Sequence, residues 1–289
     1  MQQLVLKCET SIAIPASLVS DVPHLREKTV KIGMVGRAAA IFGINEIIIF
    51  PDTPKKDQSR EISLITTILT YMETPQYLRK RLFKIRPELK YAGILPPLRT
   101  PHHPLPSHAE DLVNGEYREG AVASHTEDGA LVDIGVEHHI LVGNKKLPIN
   151  TRVTVKIRKT QKTLEAEVAN RSEVPQYWGY QVAISDLTFG KLLKKNIFDL
   201  VIATSRYGKP FHEVSQELTR RWNNSKKVLI TFGAPTKGLY EIAEQENLNL
   251  DNVADFVVNT IVCQEVETVR TEEAVFVTLG ILNLMAAKG

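Results

Sequence analysis

The residues best suited to chemistry lie near the C-terminus, where Asn259-Thr260-Ile261 and Thr268-Val269 flank a short polar stretch leading into Arg270-Thr271-Glu272-Glu273-Ala274. Amide, hydroxyl and main-chain groups at a strand end can hold a small polar ligand, and a following helix adds the positive end of its dipole. Thr271 reads as the N-cap, Glu272 and Glu273 complement the first turn, and Val275, Leu279 and Leu282 recur at helical spacing. Two earlier stretches have the same form. Leu200-Val201-Ile202-Ala203-Thr204-Ser205 runs as a buried strand into Arg206-Tyr207-Gly208-Lys209-Pro210, and Val228-Leu229-Ile230-Thr231 runs into Phe232-Gly233-Ala234-Pro235-Thr236-Lys237-Gly238-Leu239. Glycine permits close backbone approach and proline stiffens the turn, which suits a cavity that contacts an adenine or amino-acid group through main-chain atoms.

Apolar strands that end in such loops and are separated by helical segments describe an α/β fold with a mostly parallel sheet, whose ligands bind beyond the carboxyl ends of the strands. The N-terminal part agrees. Val30 to Phe42 has helical spacing stopped by Gly43, Glu46 to Phe50 is a buried strand, and Ile62 to Met72 is a second apolar helix. Neither G-x-G-x-x-G nor G-x-x-x-x-G-K-[ST] occurs, so dinucleotide and nucleoside-triphosphate sites lose their usual sequence support. The middle differs: prolines at 96, 97, 101, 104 and 106 precede short β-type runs at 121–123, 130–134, 139–142 and 152–157. Those runs predict a small five-stranded OB-like β-barrel. The expected organisation is a discontinuous α/β domain, residues 1–97 and 179–289, enclosing an inserted barrel at 98–178.

With 289 residues and 43% hydrophobic content the chain can bury a substantial core, and its composition is neither disordered nor that of a membrane protein. Its start lacks the pattern of a signal peptide, which predicts a cytoplasmic protein. Two cysteines, Cys8 and Cys263, exclude a disulfide framework and a four-cysteine zinc site. His102-His103 and His138-His139 have no carboxylate or cysteine spacing to complete a ligand set, so no metal is expected.

A net charge of +3 identifies no partner, but its distribution is informative. Arg79, Lys80, Arg81 and Lys84 lie among Tyr77 and Phe83, and the middle segment carries Lys145, Lys146, Lys156, Arg158 and Lys159. Such sets suit phosphate contact with base stacking, or else form a solvated face. Trp178, between Tyr177 and Tyr180, suits packing or stacking.

The order of these motifs resembles the SPOUT superfamily of S-adenosylmethionine-dependent RNA methyltransferases. Ile12-Ala13-Ile14-Pro15-Ala16-Ser17, Arg37-Ala38-Ala39-Ala40-Ile41-Phe42, Pro75-Gln76-Tyr77-Leu78-Arg79-Lys80 and Pro101-His102-His103 are similar to its archaeal and eukaryotic branch, which carries an OB-like insertion. The resemblance implies a trefoil-knotted domain, a homodimer, and Arg37 as the catalytic residue assisting at the acceptor. It also implies an S-adenosylmethionine pocket drawn from three segments. Thr204, Ser205 and Gly208 come from the first, Phe232, Gly233, Pro235, Gly238 and Leu239 from the second, and Asn259, Thr260, Ile261, Thr268 and Val269 from the third. The implied substrate is RNA, with a base of ribosomal RNA and uridine N3 as the expected acceptor. Where the superfamily commonly has Pro-Gly-Gln-Gly, this chain has Val262-Cys263-Gln264-Glu265. A non-catalytic RNA-binding or ribosome-assembly role on the same fold is the alternative.

Overall fold

The computed structural model describes residues 8–54, 56–105, 108–143, 147–160, 163–195 and 197–287. In chain order the strands are β1 (Glu9–Pro15), β2 (Glu46–Phe50), β3 (Tyr117–His125), β4 (Gly129–Asp133), β5 (Ile140–Gly143), β6 (Arg152–Lys159), β7 (Leu164–Val168), β8 (Gln181–Ile184), β9 (Leu200–Pro210), β10 (Lys227–Thr231) and β11 (Phe256–Asn259). The α-helices are α1 (Leu25–Ile41), α2 (Ser59–Glu73), α3 (Gln76–Leu82), α4 (Phe189–Leu193), α5 (Phe211–Asn223), α6 (Leu239–Glu244) and α7 (Thr271–Ala286). Contacts divide the chain into two units, one comprising Met1–Thr70, Glu88–Pro97 and Tyr180–Gly289, the other Tyr71–Pro87 and Leu98–Gly179.

The first unit is a six-stranded sheet in the order β11-β9-β10-β1-β2-β8, parallel throughout. Parallel strands are covered on both faces, so they appear as continuous apolar runs rather than alternations. Ile47-Ile48-Ile49-Phe50 is such a run and is wholly buried. Phe50, Phe189, Leu229, Leu239 and Ile242 pack together as part of one core, with Phe50 and Phe189 ring centroids 5.0 Å apart. Helices α1 and α7 contact each other and bury Ile32, Val35, Val275 and Leu279. Gly43, at φ 68°, ends α1 in the left-handed conformation, and the Ile44 amide then donates back to the Ala39 carbonyl at 2.9 Å.

Ladder β9–β11 contains a break that matters for the site. Val257 pairs with Ala203, but the next residue, Val258, pairs with Lys209. Thr204 to Gly208 therefore leave the ladder and return to it. The sequence led to a strand ending at Ser205; instead β9 resumes, because Lys209 and Pro210 recover pairing with β11.

The second unit is a closed five-stranded barrel in the order β3-β4-β5-β7-β6, closed by antiparallel pairing of β3 with β6. Val122, Val132, Ile140, Val142, Val155 and Ile157 fill it. Charged groups within this unit are buried in pairs. Glu73, at the end of α2, meets Arg152 and Arg171, while Glu119 accepts from Arg152, Thr154 and Trp178. Trp178 is 4% exposed and its Nε1 donates to Glu119 Oε1 at 2.6 Å, so the indole is packing.

Candidate functional site

Beyond the carboxyl ends of β9, β10 and β11 lies an open cavity of about 220 Å³. Its first wall is the excursion of β9, where Thr204, Ser205, Arg206 and Tyr207 line the cavity. Thr204 Oγ1 donates to the Thr231 carbonyl at 2.9 Å, and the Tyr207 amide donates to Ser205 Oγ at 3.2 Å. Gly208 does not line the cavity. It sits where the excursion returns, and a Cβ there would fall 2.7 Å from the Val257 carbonyl carbon and oxygen.

The second wall follows β10. Phe232 is fully buried and its amide donates to the Ala13 carbonyl at 3.0 Å, so it extends the sheet rather than lining the cavity. Gly233, Pro235, Gly238 and Leu239 do line it. The Ala234 amide donates to the Lys237 carbonyl at 2.9 Å, closing the turn that Pro235 stiffens. Gly238 stands at the N-cap of α6, and a Cβ on it would meet no atom within 4 Å.

The third wall brings Asn259, Thr260, Ile261, Thr268 and Val269 to the cavity. Asn259 Oδ1 accepts the Ile261 amide at 2.9 Å while its Nδ2 donates to the Arg206 carbonyl at 3.0 Å, tying this wall to the first. Thr260 and Thr278 hydroxyls are 2.8 Å apart. Gln264 Nε2 donates to the Val266 and Glu267 carbonyls at 2.7 and 3.2 Å, and Gln264 itself lines the cavity.

Thr271 has a different role from the cap the sequence suggested. Arg270 occupies the N-cap position, and its amide donates to Glu273 Oε2 at 2.9 Å. This leaves Thr271 Oγ1 to donate to the Gly233 carbonyl at 2.8 Å, joining the third wall to the second. The next residue, Glu272, is 2% exposed and its carboxyl is pushed up by burial. Lys31 of α1, itself buried, lies 3.5 Å from it and 2.6 Å from the more exposed Asp21.

Residues 9–282 match the family described as "Putative RNA methyltransferase". The chain belongs to that family. This RNA methyltransferase family member is 33% identical over 308 residues to a Drosophila melanogaster protein named 28S rRNA (uridine-N(3))-methyltransferase, covering 94% of this chain and 61% of the fly protein. A Mus musculus protein of the same name is 31% identical over 304 residues, covering 94% of this chain and 75% of its own. An uncharacterized Halobacterium salinarum protein is 34% identical over 291 residues, covering 95% and 98% respectively.

Arg37 of this family member lies outside the cavity lining; its Nη1 donates to the Pro97 carbonyl at 3.0 Å. The basic residues read for RNA have mixed surroundings. Lys80 and Lys84 are exposed, and Lys156 Nζ lies 5.4 Å from the Tyr117 ring centroid. Arg79 donates to the Thr74 and Met72 carbonyls at 2.9 and 3.0 Å, and Arg81 lies 3.4 Å from Asp133. Arg158 pairs with Glu167, and Lys159 Nζ donates to the Leu112 carbonyl at 2.9 Å. Lys145 and Lys146 lie outside the described residues. Sequence reasoning missed Arg206, Tyr207, Lys237, Gln264 and Thr278 as lining residues; the first four fall inside motifs read for their other positions, and Thr278 carried no signal. Among the described residues no group of histidine, cysteine and carboxylate side chains could hold a metal, and no helix is long and apolar enough to cross a membrane.

Proposed function

We propose that this chain methylates a base of ribosomal RNA, with S-adenosylmethionine as donor and N3 of a uridine as acceptor. The carrying observation is the cavity in which three strand-end segments converge, in a chain whose named fly and mouse relatives are uridine-N3 methyltransferases. The lining suits such a donor: the open space at Gly238 admits a bulky group, and main-chain and hydroxyl groups around it offer hydrogen bonds. Bound there, S-adenosylmethionine would supply an electrophilic methyl carbon. Asn259 and Thr271 would hold the walls in register, and the Ala234 to Lys237 turn would exclude water from one side.

On this reading the first unit is a SPOUT domain, trefoil-knotted near its C-terminus, and residues 98–178 form an OB-fold insertion. The barrel order, with β5 parallel to β7, is the support for the latter. The protein would act as a homodimer. Val30 and Ile41 on α1 and Val277 and Leu284 on α7 leave apolar side chains exposed, Leu284 at 62%, which supports a two-fold interface there. Arg37, on α1, would assist at the acceptor across that interface. Lys80, Lys84 and Lys156, with the remaining basic residues as neighbours, would contact phosphates.

The test combines calorimetric titration with S-adenosylmethionine and transfer of labelled methyl to ribosomal RNA from cells lacking the protein. Saturable donor binding and one methylated uridine per RNA are expected. RNA binding without donor binding would sink the enzyme reading in favour of a non-catalytic RNA-binding or assembly role.

A further inference from the structure

The wall formed by β9 holds two side chains whose position is unexplained by donor binding. Tyr207 is 69% exposed although it lines the cavity. Arg206 is fixed beside it by three contacts: Nη2 donates to Tyr207 Oη at 2.7 Å, the guanidinium carbon lies 4.8 Å from the ring centroid, and Nη1 donates to the Glu267 carbonyl at 2.9 Å. The Asn259 amide holds the Arg206 main chain, and Ser205 holds that of Tyr207. Both partners of the pair are therefore ordered before any ligand arrives.

An exposed aromatic ring costs free energy in water, and an ordered guanidinium costs side-chain entropy. A planar π surface beside a fixed cation is, however, what stacks a nucleobase and attracts its electron-rich carbonyl edge. Arg206 and Tyr207 are both exposed while lining the cavity, so the pair faces solvent, from which an acceptor base would arrive. A base inside a duplex or stacked strand cannot reach such a cavity unless it is turned out, and the turned-out base needs a surface to replace the stacking it has lost.

We propose that Tyr207 is the stacking platform for the acceptor nucleobase and that Arg206 positions both the ring and the base edge. This rests on the reading of the cavity as the methyl-donor site. The occupant is a single unpaired pyrimidine, and the interaction is binding and orientation only.

Two measurements test it. In the first, Tyr207→Ala and Tyr207→Phe are compared for methyl transfer to ribosomal RNA from cells lacking the protein and for S-adenosylmethionine affinity by calorimetry. Loss of one base stack predicts roughly a 5- to 150-fold fall in kcat/KM for Tyr207→Ala. Rescue by Tyr207→Phe and donor affinity within twofold of the parent are also expected. In the second, the indole of a Tyr207→Trp, Trp178→Phe, Trp222→Phe protein is titrated with oligouridylate in the presence of S-adenosylhomocysteine, and quenching is expected. An unquenched indole, an undiminished Tyr207→Ala enzyme, or a parallel loss of donor affinity overturns the platform, the last by assigning the ring to the donor's adenine. If the parent protein transfers no methyl while the indole at position 207 of the Tyr207→Trp variant is quenched, the enzyme reading falls and the platform stands.

Discussion

Arg152 grips Glu73 with both terminal nitrogens, Nη2 donating to Oε1 at 3.1 Å and Nη1 to Oε2, across a sequence separation of 79 residues. This fork anchors the last residue of α2 to β6 within the barrel unit. Burial alone would raise the Glu73 carboxyl, yet the His102 hydrogen bond and the Arg152 charge outweigh it and hold the pKa at about 2. The neighbouring His103 is shifted down as well: burial, then the His102 ring beside it, lower its pKa to about 4.

A pH dependence follows with a definite sign. Both folded pKa values are depressed, so both groups contribute stability that is full at neutral pH and lost on acidification. The His103 contribution should fade from pH about 6.5 to about 4 and the Glu73 contribution, on the order of 3 kcal/mol, from about 4.5 to about 2. Urea unfolding of a Trp222→Phe protein, followed through Trp178, should show both steps; replacing His103 with glutamine should abolish the upper one.

Glu73→Gln keeps the shape but leaves Arg152 and Arg171 short of a counter-charge. Removing one member of a buried pair typically costs about 3–5 kcal/mol. The same fluorescence assay should register that loss at pH 7, and a change below about 1 kcal/mol would show that Glu119 suffices for Arg152.

Gly238→Ile should separate cavity from scaffold. Its Cβ would enter open space beside the cavity, so thermal stability should stay within a few degrees while S-adenosylmethionine affinity falls at least roughly tenfold in calorimetry. Unchanged affinity would remove this wall from the donor site.

Gly208→Ala should do the reverse. Its methyl group would press on the Val257 and Val258 backbone, which cannot swing aside, so destabilisation of about 1–3 kcal/mol is expected. Differential scanning calorimetry checks it.

Lys31→Met should destabilise by about 3–5 kcal/mol, because Glu272 would remain buried without its cation. Adding Glu272→Gln should recover part of the loss, which a double-mutant cycle in urea would measure.

Continuous apolar runs such as Ile47 to Phe50 and Leu200 to Ala203 were legible because buried parallel strands need no partner information to be recognised. The N-terminal half of β3 was not. Arg118 and Glu119 look solvated in sequence, yet both are buried, Arg118 paired with Glu116 two residues away and Glu119 with the distant Arg152. Strand β7, Leu-Glu-Ala-Glu-Val, alternates as a strand should, but glutamate is a poor strand former and the pattern is short. In the site, the three motifs converge on one cavity, whereas Phe232 and Gly208 fall behind its wall. That difference depends on which way a backbone turns, something spacing does not encode. Arg79 and Lys159 likewise have basic charge visible in sequence but carbonyl partners visible only in three dimensions.

The interrupted pairing of β9 with β11 has an evolutionary consequence. Because the ladder is secured at Ala203 and again at Lys209, the residues from Thr204 to Tyr207, short of the closely packed Gly208, can lengthen, shorten or change character without turning the inward faces of either strand outward. Most strands cannot absorb an insertion without scrambling the core behind them. Here the sheet is insulated from the wall it presents to the cavity, so relatives can remodel what they recognise while inheriting the same scaffold.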